Sequence, residues 1–157
     1  MTEENNKVAV DSSLTAGYRL FDTAKYYLNE KELGDALKSL LPKHGLTRAD
    51  FFLATKFFPE SKDCREACRK FVDESLERLQ TDYIDMYLVH YPNDDVKNPE
   101  YGKIVYKVLE EAQAARKICS IGVSNFKTVH LEELETYAKI PPCANQLEYT
   151  IIMFLIR

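Results

Sequence analysis

Four side chains with acid–base chemistry recur at matching places in this sequence. The short apolar run Tyr18–Phe21 ends on Asp22, Phe51–Thr55 runs into Lys56, and Tyr83–Val89 runs into His90. Tyr27 follows Asp22 by five positions, just before a helix start. An ionisable group at the end of a buried strand is costly unless it is paired or at work. Together the four describe an acid–base site. Lys56 beside Tyr27 is expected to stabilise the phenolate and lower a phenol pKa that starts near about 10. Asp22 is expected to pair with Lys56 and fix its orientation, and His90 to polarise a carbonyl oxygen with a hydrogen bond. A tyrosine tuned this way can protonate a developing alkoxide near neutral pH. Each residue alone has a plainer reading: Asp22 as a turn or helix cap, Lys56 as solvated charge, His90 as structure.

The elements that position these groups are legible as alternating strands and helices. Residues 7–16 form a weak helix candidate with Val10 and Leu14 on one face, closed by Gly17. After the first strand, Asn29 stands in capping-box spacing with Glu32, and Leu33, Leu37, Leu40 and Leu41 line a buried helix face until Pro42 and Gly45 end it. Ser61 or Asp63 can cap the next helix, whose apolar positions Ala67, Phe71, Val72, Leu76 and Leu79 fit a 3.6-residue period. Tyr101, Ile104, Val105, Val108, Leu109 and Ala112 mark a third amphipathic helix after Pro99. Ile118–Val123 reads as a fourth strand, Leu131, Leu134 and Ala138 as the core face of another helix, and Ala144–Tyr149 as a fifth strand.

Short, nearly continuous apolar strands spaced by one strand–helix unit indicate a parallel sheet covered by helices. A barrel and an open doubly wound sheet both satisfy that pattern. The barrel is favoured because Gly17, Gly34, Gly45, Gly102 and Gly122 are scattered and make no Gly-rich phosphate turn after the first strand. Polar groups also end each strand in turn (Asp22, Lys56, His90, Asn125, Gln146), as strands facing one mouth require.

Composition bounds the function. The chain has 157 residues, 45% hydrophobic and 29% charged, which are values of one ordinary globular domain rather than a disordered chain. A net charge of −4 argues against nucleic acid or an anionic membrane as partner. Met1–Asn6 is polar and acidic, so no signal peptide is expected, and the longest apolar run, Ile151–Ile156, is too short to span a bilayer. Cys64 and Cys68 share a helix face but have no second ligand pair at zinc-like spacing, so Cys64, Cys68, Cys119 and Cys143 read as reduced cysteines of a cytoplasmic protein, with no metal site. His44 and His130 read as helix-end or surface residues. Tyr26, Tyr83, Tyr87 and Tyr106 read as packing, Asp94–Asp95 and Glu132–Glu133 as solvated charge, and Tyr91 as a candidate for the substrate mouth.

The stretches GYRLFDTAKYYLNEKELGDAL, LATKF, ESLERLQTDYIDMYLVHYP, SIGVSNF and NQLEY resemble the aldo-keto reductase family, in that family's order, over residues 8–149. The resemblance implies a (β/α)8 TIM barrel that reduces aldehydes or ketones, small-molecule carbonyl substrates, with NADP(H) and without a metal. It implies Tyr27 as proton donor, Lys56 as the group that lowers its pKa, Asp22 as support for Lys56, and His90 as the residue that orients the carbonyl. Ser124, Asn125 and Gln146 fall where the family holds the nicotinamide carboxamide. The family is usually monomeric.

Against the family pattern, the chain is expected to be a single incomplete barrel domain over 1–157, with about five parallel strands that do not close a ring and an apolar tail, 150–157, that departs from the family. A complete barrel needs roughly 250 residues, and the units carrying the nicotinamide-stacking aromatic and the 2′-phosphate site are expected to be absent. Open strand edges would favour self-association. Two readings follow: a carbonyl reductase, or a truncated or splice-variant fragment that binds a full-length relative or is degraded.

Overall fold

In a computed structural model, residues 3–58, 64–92 and 100–148 are described. Five strands, β1 (Leu20–Asp22), β2 (Phe52–Phe57), β3 (Ile84–Val89), β4 (Ile118–Ser124) and β5 (Asn145–Gln146), pair in parallel and in sequence order. The helices are α1 (Glu3–Thr15), α2 (Glu30–Leu40), α3 (Cys64–Leu79), α4 (Tyr101–Ala114) and α5 (Thr128–Glu135). Helices α2 to α5 each connect one strand to the next, the crossover that parallel pairing demands. The register is set by pairs such as Leu20↔Phe52, Lys56↔Leu88 and Val89↔Val123. The result is an open half-barrel with its helices outside.

The core lies between sheet and helices. Leu53, Phe57, Ile84, Tyr87, Ile118, Ile121 and Val123 come from the strands, and Leu33, Leu37, Val72, Leu79, Val105, Leu109 and Leu134 from the helices. Each fully buried aliphatic side chain of this kind contributes about 1.5–3 kcal/mol. Gly34 allows α2 and α3 to touch: a Cβ there would lie 2.5 Å from the Arg78 carbonyl oxygen. No helix among the described residues is long and apolar enough to cross a membrane.

Several boundaries differ from the sequence reading. Helix α1 starts at Glu3 rather than residue 7, although Val10 and Leu14 are its buried pair and Gly17 closes it at φ 89°. The Asn29–Glu32 capping box does not form. The buried Thr23 hydroxyl needs an acceptor and takes the Asn29 Oδ1 at 2.7 Å, which removes that side chain from the helix end. Strand β2 runs on through Phe57, so Lys56 lies inside the strand rather than after it. Strand β5 has two residues, and Tyr149 and the tail 150–157 lie outside the described residues, as do Ser61, Asp63, Asp94 and Asp95. Tyr26 is exposed rather than packed, whereas Tyr87 and Tyr106 are buried. Cys68 is buried in the core.

Candidate active site

The strand ends set the spacing of the site. Asp22 closes β1 opposite Ala54, and the next residue, Thr23, donates its N–H to the Ala54 carbonyl at 2.9 Å. In β2 successive side chains alternate faces, so Lys56 points inward while its neighbours Thr55 and Phe57 point to the helices. His90 directly follows β3, its N–H bonded to the Phe57 carbonyl at 2.9 Å. Three adjacent strands thereby deliver a carboxylate, an ammonium and an imidazole to one end of the sheet.

Lys56 is 2% exposed. Its Nζ donates to the Asp22 Oδ1 and, at 3.0 Å, to the Thr23 carbonyl. A buried ammonium is tolerated only with such partners. Tyr27 ends a single 3-10 turn, Lys25–Tyr27, which Leu28 closes in the left-handed region at φ 54°. That turn brings the Tyr27 ring edge-on to His90, with centroids 5.7 Å apart and planes at 86°. The Lys56 Nζ lies 5.2 Å from the centroid of the same ring. The structure thus brings Asp22, Tyr27, Lys56 and His90 together. Tyr91, half exposed, stacks on His90 at 4.7 Å.

The electrostatics differ from expectation in one respect. Burial, and then the Asp22 carboxylate, push the Tyr27 phenol above its ordinary range, the reverse of the direction expected from Lys56. His90 moves downward, first through burial and then through the Lys56 charge, with Asp22 opposing. Both shifts favour neutral rings: a protonated phenol and an uncharged imidazole.

At the next two strands Ser124, Asn125 and Gln146 gather beside this group. Asn125 sits at φ 62°, a left-handed conformation that asparagine tolerates better than most residues. From there its Nδ2 donates to the His90 carbonyl at 2.9 Å and to the Ser124 Oγ at 3.0 Å. The Ser124 hydroxyl donates to the Gln146 carbonyl at 2.9 Å. Gln146 Nε2 reaches back to the Asp22 Oδ2 at 3.2 Å. In a flat sheet β1 and β5 would stand four strand spacings apart, about 19 Å, so this bond exists only because the sheet curls. A primary carboxamide offers two N–H donors and an accepting carbonyl oxygen, so its partners must include both acceptors and a donor. A serine hydroxyl and the two side-chain amides of Asn125 and Gln146 match that requirement, so these residues fit the carboxamide of a nicotinamide.

Glu30 and Thr55, which meet in a buried hydrogen bond of 2.7 Å directly behind Lys56, were not singled out in the sequence. A threonine in a strand and a glutamate at a helix start are unremarkable locally, and only the fold brings them together. Away from the site, His44 pairs with Asp11 at 2.7 Å, and His130 accepts the Lys127 N–H at 3.0 Å, both at helix ends.

A parallel half-barrel with acid, base and amide side chains collected at the C-terminal ends of its strands corresponds to part of a TIM barrel, at the face where that fold places its sites. The chain belongs to the aldo/keto reductase family, whose model matches residues 1–155. It is 40% identical to a glyoxal reductase of Bacillus subtilis over 149 residues, 93% of this chain and 50% of that protein. It is 37% identical to a morphine 6-dehydrogenase of Pseudomonas putida, over 92% of this chain and 46% of the relative. A solved Bombyx mori aldo-keto reductase in complex with NADP superposes with a TM-score of 0.84 at 31% identity, covering 95% of this chain and 50% of that one. The chain therefore spans about half the length of the curated relatives it matches.

Proposed function

We propose that this site reduces aldehydes or ketones to alcohols with NADP(H), Tyr27 giving the proton. The observation that carries this reading is the joint placement of the Tyr27 and His90 rings over the Lys56–Asp22 pair. His90, held neutral, donates a hydrogen bond to the carbonyl oxygen and fixes its direction. Tyr27, its phenol raised, holds its proton until negative charge develops on that oxygen and then releases it. The Lys56 ammonium stabilises the phenolate left behind, and Asp22 keeps the ammonium oriented. Ser124, Asn125 and Gln146 would hold the cofactor's carboxamide. A bound NADPH supplies the hydride that the carbonyl carbon accepts.

The family and the NADP complex of the Bombyx mori relative support the cofactor class. Likeness to a glyoxal reductase makes small dicarbonyls a sensible part of the substrate panel. All four acid–base residues are intact, so nothing at the site favours a non-catalytic fragment. The test follows NADPH oxidation with an aromatic aldehyde and with glyoxal, beside a Tyr27→Phe control. A rate lost in Tyr27→Phe is expected. A folded preparation with no Tyr27-dependent rate overturns the reading.

A further inference from the structure

On the helix side of β2 lies a carboxylate that the chemistry above does not use. Glu30 opens α2 and is 2% exposed. Thr55 Oγ1 donates to its Oε1 at 2.7 Å, and Arg78 Nε donates to its Oε2 at 2.8 Å. Arg78 is itself held by Glu74 on α3 at 3.2 Å. A glutamate in the first turn would serve the helix dipole equally well from the surface, and burying a carboxylate is costly. The capping role of α2's first turn therefore does not account for its burial.

The position of Glu30 in the chain does. Thr55 directly precedes Lys56, so the clamp acts on the strand that carries the ammonium. Tyr27 directly precedes the Leu28–Asn29 link into α2, so the same clamp acts on the turn that carries the phenol. That link is itself constrained: Leu28 is left-handed, and Asn29 Oδ1 accepts the buried Thr23 hydroxyl at 2.7 Å. Tyr27 is half exposed, so its ring is fixed mainly by the turn beneath it. One carboxylate ties that turn to the Lys56 strand.

We propose that Glu30 is a positioning residue, holding Tyr27 against Lys56 and His90 by fastening the start of α2 to Thr55 and Arg78. This rests on the reading of Tyr27 as proton donor. Glu30→Gln keeps the size but removes the charge, so the charge-assisted bond to the Arg78 guanidinium is weakened whichever way the amide turns. Thr55→Val removes only the hydroxyl, and Thr55→Ser restores it.

The experiment uses the whole chain labelled at tyrosine 13Cζ, with the Tyr27 resonance assigned by its loss in Tyr27→Phe. In Glu30→Gln and Thr55→Val the Tyr27 resonance is expected to move and its titration to fall toward that of an ordinary tyrosine, while Thr55→Ser behaves as wild type. Alongside, kcat is expected to fall between about tenfold and 100-fold with KM changed less than about twofold, the signature of a misplaced reacting group. A Tyr27 resonance and titration unchanged in folded Glu30→Gln overturns the proposal. Should circular dichroism find Glu30→Gln unfolded, Thr55→Val decides by the same reading. Absence of turnover in the wild type refutes the proton-donor role instead, and the resonance still decides the clamp.

Discussion

The Lys56–Asp22 pair is asymmetric in a way that unfolding measurements can detect. The Lys56 side chain is 2% exposed and the Asp22 side chain 29%. Asp22→Ala strands a buried ammonium whose remaining bond is to the Thr23 carbonyl at 3.0 Å. Removing one partner of a buried pair costs 3–5 kcal/mol, and partial exposure of Asp22 puts this case at the lower end, about 3 kcal/mol. Lys56→Met removes the buried charge itself. Asp22 then keeps the Gln146 Nε2 at 3.2 Å and access to water, so the expected cost is about 1 kcal/mol or less. The difference of about 2 kcal/mol is a factor of about 30 in the folding equilibrium. At this chain length each kcal/mol moves Tm by about 2–4 °C, so Asp22→Ala should lower it by about 6–12 °C and Lys56→Met by less than about 4 °C. Urea unfolding of both variants in one buffer measures the gap. Equal destabilisation, or a greater loss in Lys56→Met, would refute the assignment of the burial penalty to the ammonium.

Three further outcomes follow from the geometry. Lys56→Met should raise the His90 pKa, because it removes the positive charge that adds to burial in depressing it; a proton NMR titration of the ring reads this directly. The depressed His90 also makes stability pH-dependent. The unfolded chain binds the proton more readily, so this contribution is complete above the ordinary histidine pKa of about 6.5 and is lost as pH falls through the folded value. The contribution is expected to vanish in His90→Phe, as urea midpoints across pH will record. Gly34→Ala should destabilise by about 1–3 kcal/mol, since the new Cβ meets backbone atoms of Arg78 and Leu79 that cannot move aside; thermal unfolding measures it.

What the sequence carried was periodicity and strand-end chemistry. Short, nearly continuous apolar runs located five strands and a 3.6-residue period their helices, because burial on both faces or on one leaves those patterns whatever the tertiary detail. Asp22, Lys56 and His90 stood out because charged groups at strand ends are costly without a purpose. Features that depend on competition between partners were not legible. Asn29 looks like a helix cap until the Thr23 hydroxyl claims it, and β2 looks finished at Thr55 until pairing with β3 extends it through Phe57. Nor is the direction of the Tyr27 shift legible: its larger cause is burial of the ring, which only the fold sets, and Asp22 adds to it. The Glu30–Thr55 contact was invisible because neither residue is unusual where it stands.

The strand order has a kinetic meaning as well. Every strand pairs with the one just before it in the chain, so each closure spans only one strand–helix unit and the entropy cost of bringing strands together stays modest. Such a sheet can grow by adding units as the chain emerges during synthesis. Asp22 and Lys56 meet once the second strand docks, His90 joins with the third, and Asn125 fastens His90 with the fourth. The strand order thus allows the acid–base group to be assembled in the order in which it is translated.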